Sequence, residues 1–215
     1  MYSFSQKLCV IVSLIALTSC SSAYYSAMEK VGIHKRDIMV DRVADAKESQ
    51  QEAQQQFKSA LEEMTALTNF EGGELEAQYN VIQEQYENSK EAAALVSSRI
   101  EKVEDVSEAL FDEWEDEIGQ ISSANLSRQS SVKLKETQRR YQTLIKSMHK
   151  AESKMAPVLT ALKDNSLFLK HNLNAKAVGA LQGEMLSIKK DVSVLIKDMN
   201  VAIEQSQKFI DMLEK

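Results

Sequence analysis

Apolar residues recur along this chain at alternating intervals of three and four, in stretches separated by polar or glycine-bearing breaks. The first stripe reads Met39, Val43, Ala46, Gln50, Ala53, Phe57, Ala60, Met64 and Leu67, with Gln50 its one polar member. That spacing puts every member on one face of an α-helix, as in a heptad repeat. It predicts a helix over 35–68. Asn69-Phe70-Glu71-Gly72-Gly73 ends the stripe, and two consecutive glycines suit a helix C-cap and a chain reversal.

A second stripe runs through Tyr79, Ile82, Tyr86, Ser89, Ala93, Val96, Ile100, Val103, Ser107, Leu110, Trp114, Glu117 and Ile121, predicting a helix over 74–121. At 1.5 Å per residue this helix is roughly 70 Å long, a length that coiled coils need and compact domains do not. Ser122 to Ser127 is polar without Gly or Pro, and both a loop and a weak point in a continuing helix fit it. The third pattern is poorer. Val132, Lys135, Arg139, Gln142, Ile145 and Met148 follow an approximate period, and Pro157 either kinks this helix or opens a new one. A helix over about 128–165 is expected, with a turn near Asn172 and Asn174. The last stripe, Leu181, Met185, Ile188, Val192, Leu195, Met199, Ala202, Ser206, Phe209 and Leu213, is the most regular and predicts a helix over 176–213. Gly179 and Gly183 near its start either admit a close backbone or fray that end.

The fold class expected from these stripes is all-α: an elongated antiparallel helical bundle or coiled coil of three to four long helices, in one domain over 35–215. An extended dimer or trimer is the rival packing, so oligomerisation stays open. Core positions mixing Ala, Met, Ser and β-branched residues lean toward the folded-back bundle, because a parallel dimer favours a repeated Ile/Leu pairing.

Composition agrees with long hydrated helices. The 215 residues include six Gly, one Pro and few aromatics. A net charge of -6 argues against a nucleic-acid partner and against general attraction to anionic lipid surfaces.

The N-terminus adds a location. Lys7 precedes an apolar run, Leu8 to Leu17, which is shorter than the roughly 20 residues a spanning helix needs. Leu17-Thr18-Ser19-Cys20 resembles a bacterial lipobox. The resemblance implies a lipoprotein-type signal peptide over 1–19, cleavage before Cys20, lipidation of Cys20 and a membrane-proximal tether over 20–34. Ser21 in place of Asp leans toward the outer membrane. The expected address is the cell envelope of a Gram-negative bacterium, lipid-anchored and facing the periplasm. Cys9 leaves with the signal, so the mature chain is expected to lack both a free thiol and a disulfide.

Little in the sequence points to catalysis. His34, His149 and His171 are widely separated and lack metal-ligand spacing. Asp112, Glu113, Glu115, Asp116 and Glu117 surround Trp114 but form no calcium-loop pattern. They read as a solvated helical face with Trp114 turned inward. Asp105, Asp112, Glu113, Glu115, Asp116 and Glu117 and the basic residues Lys133, Lys135, Arg139, Arg140, Lys146 and Lys150 are expected to face each other across an antiparallel pair and set its register. The alternative is a basic patch for an anionic envelope polymer or headgroups, and Glu117 either ends the buried seam or pairs with a residue such as Arg139 or Arg140. No phosphate loop, nucleophile elbow or triad is present. No catalytic residue, metal site or cofactor is assigned.

Several stretches together resemble a family of bacterial lipoproteins of unknown function, DUF2959. They are Tyr24-Tyr25-Ser26-Ala27-Met28-Glu29-Lys30-Val31-Gly32, His34-Lys35-Arg36, Phe57-Lys58-Ser59-Ala60-Leu61, Ala109-Leu110-Phe111-Asp112-Glu113-Trp114 and Phe168-Leu169-Lys170-His171-Asn172-Leu173-Asn174-Ala175. The resemblance implies a helical, coiled-coil envelope protein and transfers no activity. Tyr24, Tyr25, Trp114, Phe168 and His171 are the candidate interaction residues. The expected function is a membrane-anchored, non-enzymatic helical scaffold or adaptor that binds another envelope protein. The alternative is a carrier or sensor of a lipidic ligand, and the third reading is an envelope hydrolase.

Overall fold

A computed structural model describes residues 19–68, 75–172 and 175–214. The described residues form five helices: α1 (Ser19–Lys30), α2 (Lys35–Thr68), α3 (Leu75–Gln120), α4 (Ala124–His171) and α5 (Ala175–Leu213). The protein is all-α, an elongated antiparallel bundle. Each long helix packs along its sequence neighbours, and α5 closes the ring against α2. With 48 residues, α4 makes the rod roughly 70 Å long. The Gly72-Gly73 reversal and Asn174 lie outside the described residues, as does most of the expected signal peptide.

Every residue of the α2 stripe is buried, including Gln50. So is every residue of the α5 stripe from Leu181 to Leu213. In α3 the stripe is buried at Ile82, at Ser89 and from Ala93 to Leu110. Beyond Leu110 it surfaces: Trp114 is half-buried and Glu117 exposed. There α3 and α4 extend past the level at which α2 starts and α5 ends. Large side chains, among them Met39, Phe57, Met64, Leu144, Met148 and Leu195, fill the bundle axis. Each contributes about 1.5–3 kcal/mol by leaving water.

The register of α4 differs from the expected one. Its buried seam is Leu134, Thr137, Tyr141, Leu144, Met148, Ala151, Met155, Val158, Leu162, Asn165 and Leu169, an unbroken alternation of three and four. Val132 is 60% exposed, and Lys135, Arg139 and Gln142 point to solvent. Helix starts at Ala124, after a short connection that Ser123 caps by accepting from the Leu126 N–H at 3.5 Å. It runs through Pro157, which sits on the exposed face, to His171. Asn172 closes it, its N–H reaching the Leu169 carbonyl at 3.0 Å and its Nδ2 the Phe168 carbonyl at 2.9 Å.

Polar contacts fix the antiparallel register along the rod. Arg99 of α3 meets Asp45 of α2 at 2.8 Å. Gln54 of α2 donates to Asn200 of α5 at 2.9 Å, and Lys150 of α4 pairs with Asp198 of α5 at 2.8 Å. The expected facing of acidic and basic blocks is not what sets the α3–α4 register. Arg140 pairs within its own helix with Glu136, Arg139 donates to the Lys135 carbonyl, and Glu117 is exposed. The cross-helix pair is instead Glu104 with His149, at 2.9 Å. Gly179 and Gly183 meet open space, so no backbone approaches them closely.

Candidate functional site

The expected tether is a structured element. Helix α1 ends in a Schellman motif: the Ile33 N–H bonds the Met28 carbonyl at 3.0 Å and the Gly32 N–H the Glu29 carbonyl at 2.9 Å. Gly32 takes φ 85°, a conformation that side chains resist. The chain then enters α2, where the Asp37 carboxylate accepts from the His34 N–H at 3.3 Å. This carboxylate in the first turn also suits the positive end of the helix.

Two polar contacts dock α1 on α3. Tyr25 is 4% exposed, and its hydroxyl donates to Asp105 Oδ2 at 2.6 Å. Burial, reinforced by that carboxylate, pushes the Tyr25 pKa well above the ordinary phenol range. One turn later, Lys35 Nζ bridges Glu29 of α1 and Glu113 of α3, the latter at 2.8 Å. Burial opposes the Lys35 charge, but the two carboxylates outweigh it and raise its pKa. Lys35 holds Glu29 below the usual carboxylate range, whereas burial raises Glu113. Because Tyr25 reaches Asp105 and Glu29 reaches the level of Glu113, α1 runs beside α3 in the same direction. Its N-terminal end therefore lies along the flank of the rod.

Next to this junction the α2 start, the α3 end, the first turns of α4 and the α5 end border a half-open chamber of about 420 Å³. Leu110, Trp114, Met212 and Leu213 supply its apolar lining; His34, Lys35, Arg36 and Lys133 bring basic groups, and Glu113 and Glu117 carboxylates. Trp114 is fixed by its indole N–H, which donates to Ser130 Oγ at 2.9 Å. Arg36 donates to the Leu213 carbonyl and so ties α2 to the end of α5. Among the described residues, no group of three or more His, Cys, Asp or Glu could hold a metal ion. No described helix is long and apolar enough to cross a membrane.

The candidate residues fall at opposite ends of the rod. Tyr24, 42% exposed, stacks edge-on against Tyr25 at 5.3 Å between ring centroids, and Trp114 lies in the adjoining chamber. Phe168, 39% exposed, and His171, also exposed, sit at the far end of α4. From Ser130 to His171 the separation is about 60 Å along the helix. Cys20 lies in the first turn of α1. Asp105 and Glu113 belong to the block read from sequence as facing α4. They serve α1 and α2 instead, a partnership that no periodicity signals.

The model of a family described as Protein of unknown function (DUF2959) matches residues 24–213. No curated protein and no solved structure matches the chain.

Proposed function

The chain belongs to the DUF2959 family, whose function is unknown, and we propose that it is a lipid-anchored, non-enzymatic scaffold or adaptor of a Gram-negative cell envelope. In this reading Cys20 carries the lipid, the outer membrane holds it, and the helical rod presents a binding face to another envelope protein in the periplasm. The observation that carries the proposal is the docking of α1. The helix that contains Cys20 is joined to the bundle through Tyr25–Asp105 and Glu29–Lys35–Glu113, with Gly32 forming a tight corner. A loose tether would leave the rod free to reorient. This junction couples the anchor to the rod and brings its flank toward the bilayer surface.

Crosslinking the full chain in a Gram-negative host, followed by recovery from membranes and mass spectrometry, tests the reading. One stoichiometric envelope protein is expected with the wild type and is lost with Cys20→Ala. The same recovery from both chains contradicts the anchored adaptor. A second reading, a carrier or sensor of a lipidic ligand, draws on the chamber beside Trp114, whose lining mixes apolar, basic and acidic side chains. Recovery of bound lipid with no protein partner favours it.

A further inference from the structure

Far from the anchor, α4 and α5 border a second cavity, of about 480 Å³, lined from Pro157 to Phe168 on one helix and from Ala180 to Asp191 on the other. Each wall is three turns long, roughly 16 Å. Its lining includes apolar Ala161, Leu181 and Ile188, and the half-exposed ring of Phe168. Among the described residues, the charged side chains lining it are Asp164, Glu184 and Asp191. None of the three joins an ion pair among the described residues, and the nearby Lys163, Lys189 and Lys190 are exposed without lining the cavity.

We propose that this groove docks a basic amphipathic helix of the partner protein, an inference that rests on the adaptor reading and specifies its binding face. Three features select that occupant. Three turns of open groove match the reach of a short helix laid between two others. An apolar lining with exposed Phe168 takes anchors spaced three and four apart. Glu184 and Asp191 stand two turns apart on α5, so a docked helix meets them with lysine or arginine at the same seven-residue interval. Charge complementarity of this kind sets encounter rate and register more than bulk affinity. The chain itself carries exposed basic pairs at this interval, among them Arg128 with Lys135, Lys163 with Lys170 and Lys190 with Lys197, so a second copy is the rival occupant that the self-association measurement separates.

The test uses the full chain in detergent and a labelled alanine-based helical peptide of about 16 residues, roughly four turns. The peptide carries two leucines four apart and two lysines seven apart. Fluorescence anisotropy is expected to show saturable binding that weakens with salt. Binding is expected to fall about tenfold or more, a 1.4 kcal/mol effect, for Glu184→Lys combined with Asp191→Lys and for a peptide with both lysines changed to glutamate. The milder Glu184→Gln with Asp191→Asn, together with Phe168→Ala, keeps the test informative where charge reversal disturbs the fold. Equal binding to wild type and folded groove variants overturns the proposal, as does no binding. Self-association abolished by the same variants also overturns it, in favour of a second copy as occupant. If the peptide fails while a Cys20-dependent partner is still recovered from membranes, the groove is wrong and the adaptor reading stands.

Discussion

Gln50 has no exposed surface, and neither its amide nitrogen nor its amide oxygen finds a partner among the described residues. It interrupts an otherwise apolar stripe, with Ala46 and Ala53 before and after it on the same face. The Ser89 hydroxyl of α3 is likewise buried and unpaired. A buried polar group without a partner costs about 1–3 kcal/mol, whereas a side chain of similar volume without polar atoms avoids that penalty. Gln50→Leu is therefore expected to stabilise the bundle by about 1–3 kcal/mol in urea unfolding of the full chain, with an unchanged denaturant slope. A destabilised variant contradicts this and points to a role for Gln50 in fixing register. The position was legible in the sequence, because a lone Gln in a heptad stripe stands out. Its lack of partners was not, because that depends on which residues of three other helices share its level.

Among the elements, α2 and α5 were readable because their stripes are dense and almost wholly apolar. Helix α4 was not. Thr137 and Asn165 occupy seam positions, and Ile145 is buried just beside the seam, so a register started from Val132 gathers Lys135, Arg139 and Gln142 by mistake. Starting from Leu134 gives an unbroken seam across Pro157. The α3–α4 pairing also depends on a contact invisible to charge blocks, the His149 ring held by Glu104 at 2.9 Å and Glu152 at 3.0 Å. Hydrogen bonds to Glu104 and then Glu152 raise the His149 pKa above 6.5. With the folded pKa above the unfolded one, this clamp contributes fully below about pH 6.5 and loses its contribution as pH rises through the folded value. The side chain is 47% exposed, so screening limits the effect to under about 1 kcal/mol. Thermal melts are expected to show His149→Gln less stable than wild type near about pH 5.5, with the gap closing as pH rises through the folded His149 value. A gap that stays constant or widens with pH contradicts the clamp.

For the whole molecule, antiparallel topology followed from long stripes separated by breaks, and family membership agrees with the stretches that resembled it. Tertiary placement was not legible. Gly32 in the Tyr24–Arg36 segment marks the corner after α1, but nothing there signals that Tyr25 docks on Asp105, because that partner lies 80 residues away in the chain. The chamber and the distal groove likewise exist only where four or two helices meet. Together these features describe a rod with the α1 junction at one end and an acidic, partly apolar groove toward the other. On the proposed function, the scaffold acts through a first helix tied to the membrane. Cys20 is thus the position on which the functional account depends. The most direct measurement is labelled-palmitate incorporation and membrane sedimentation of the full chain beside Cys20→Ala in a Gram-negative host. The account predicts a labelled wild type in the membrane fraction and an unlabelled, non-sedimenting variant. An unlabelled wild type, or a variant that sediments equally well, contradicts it.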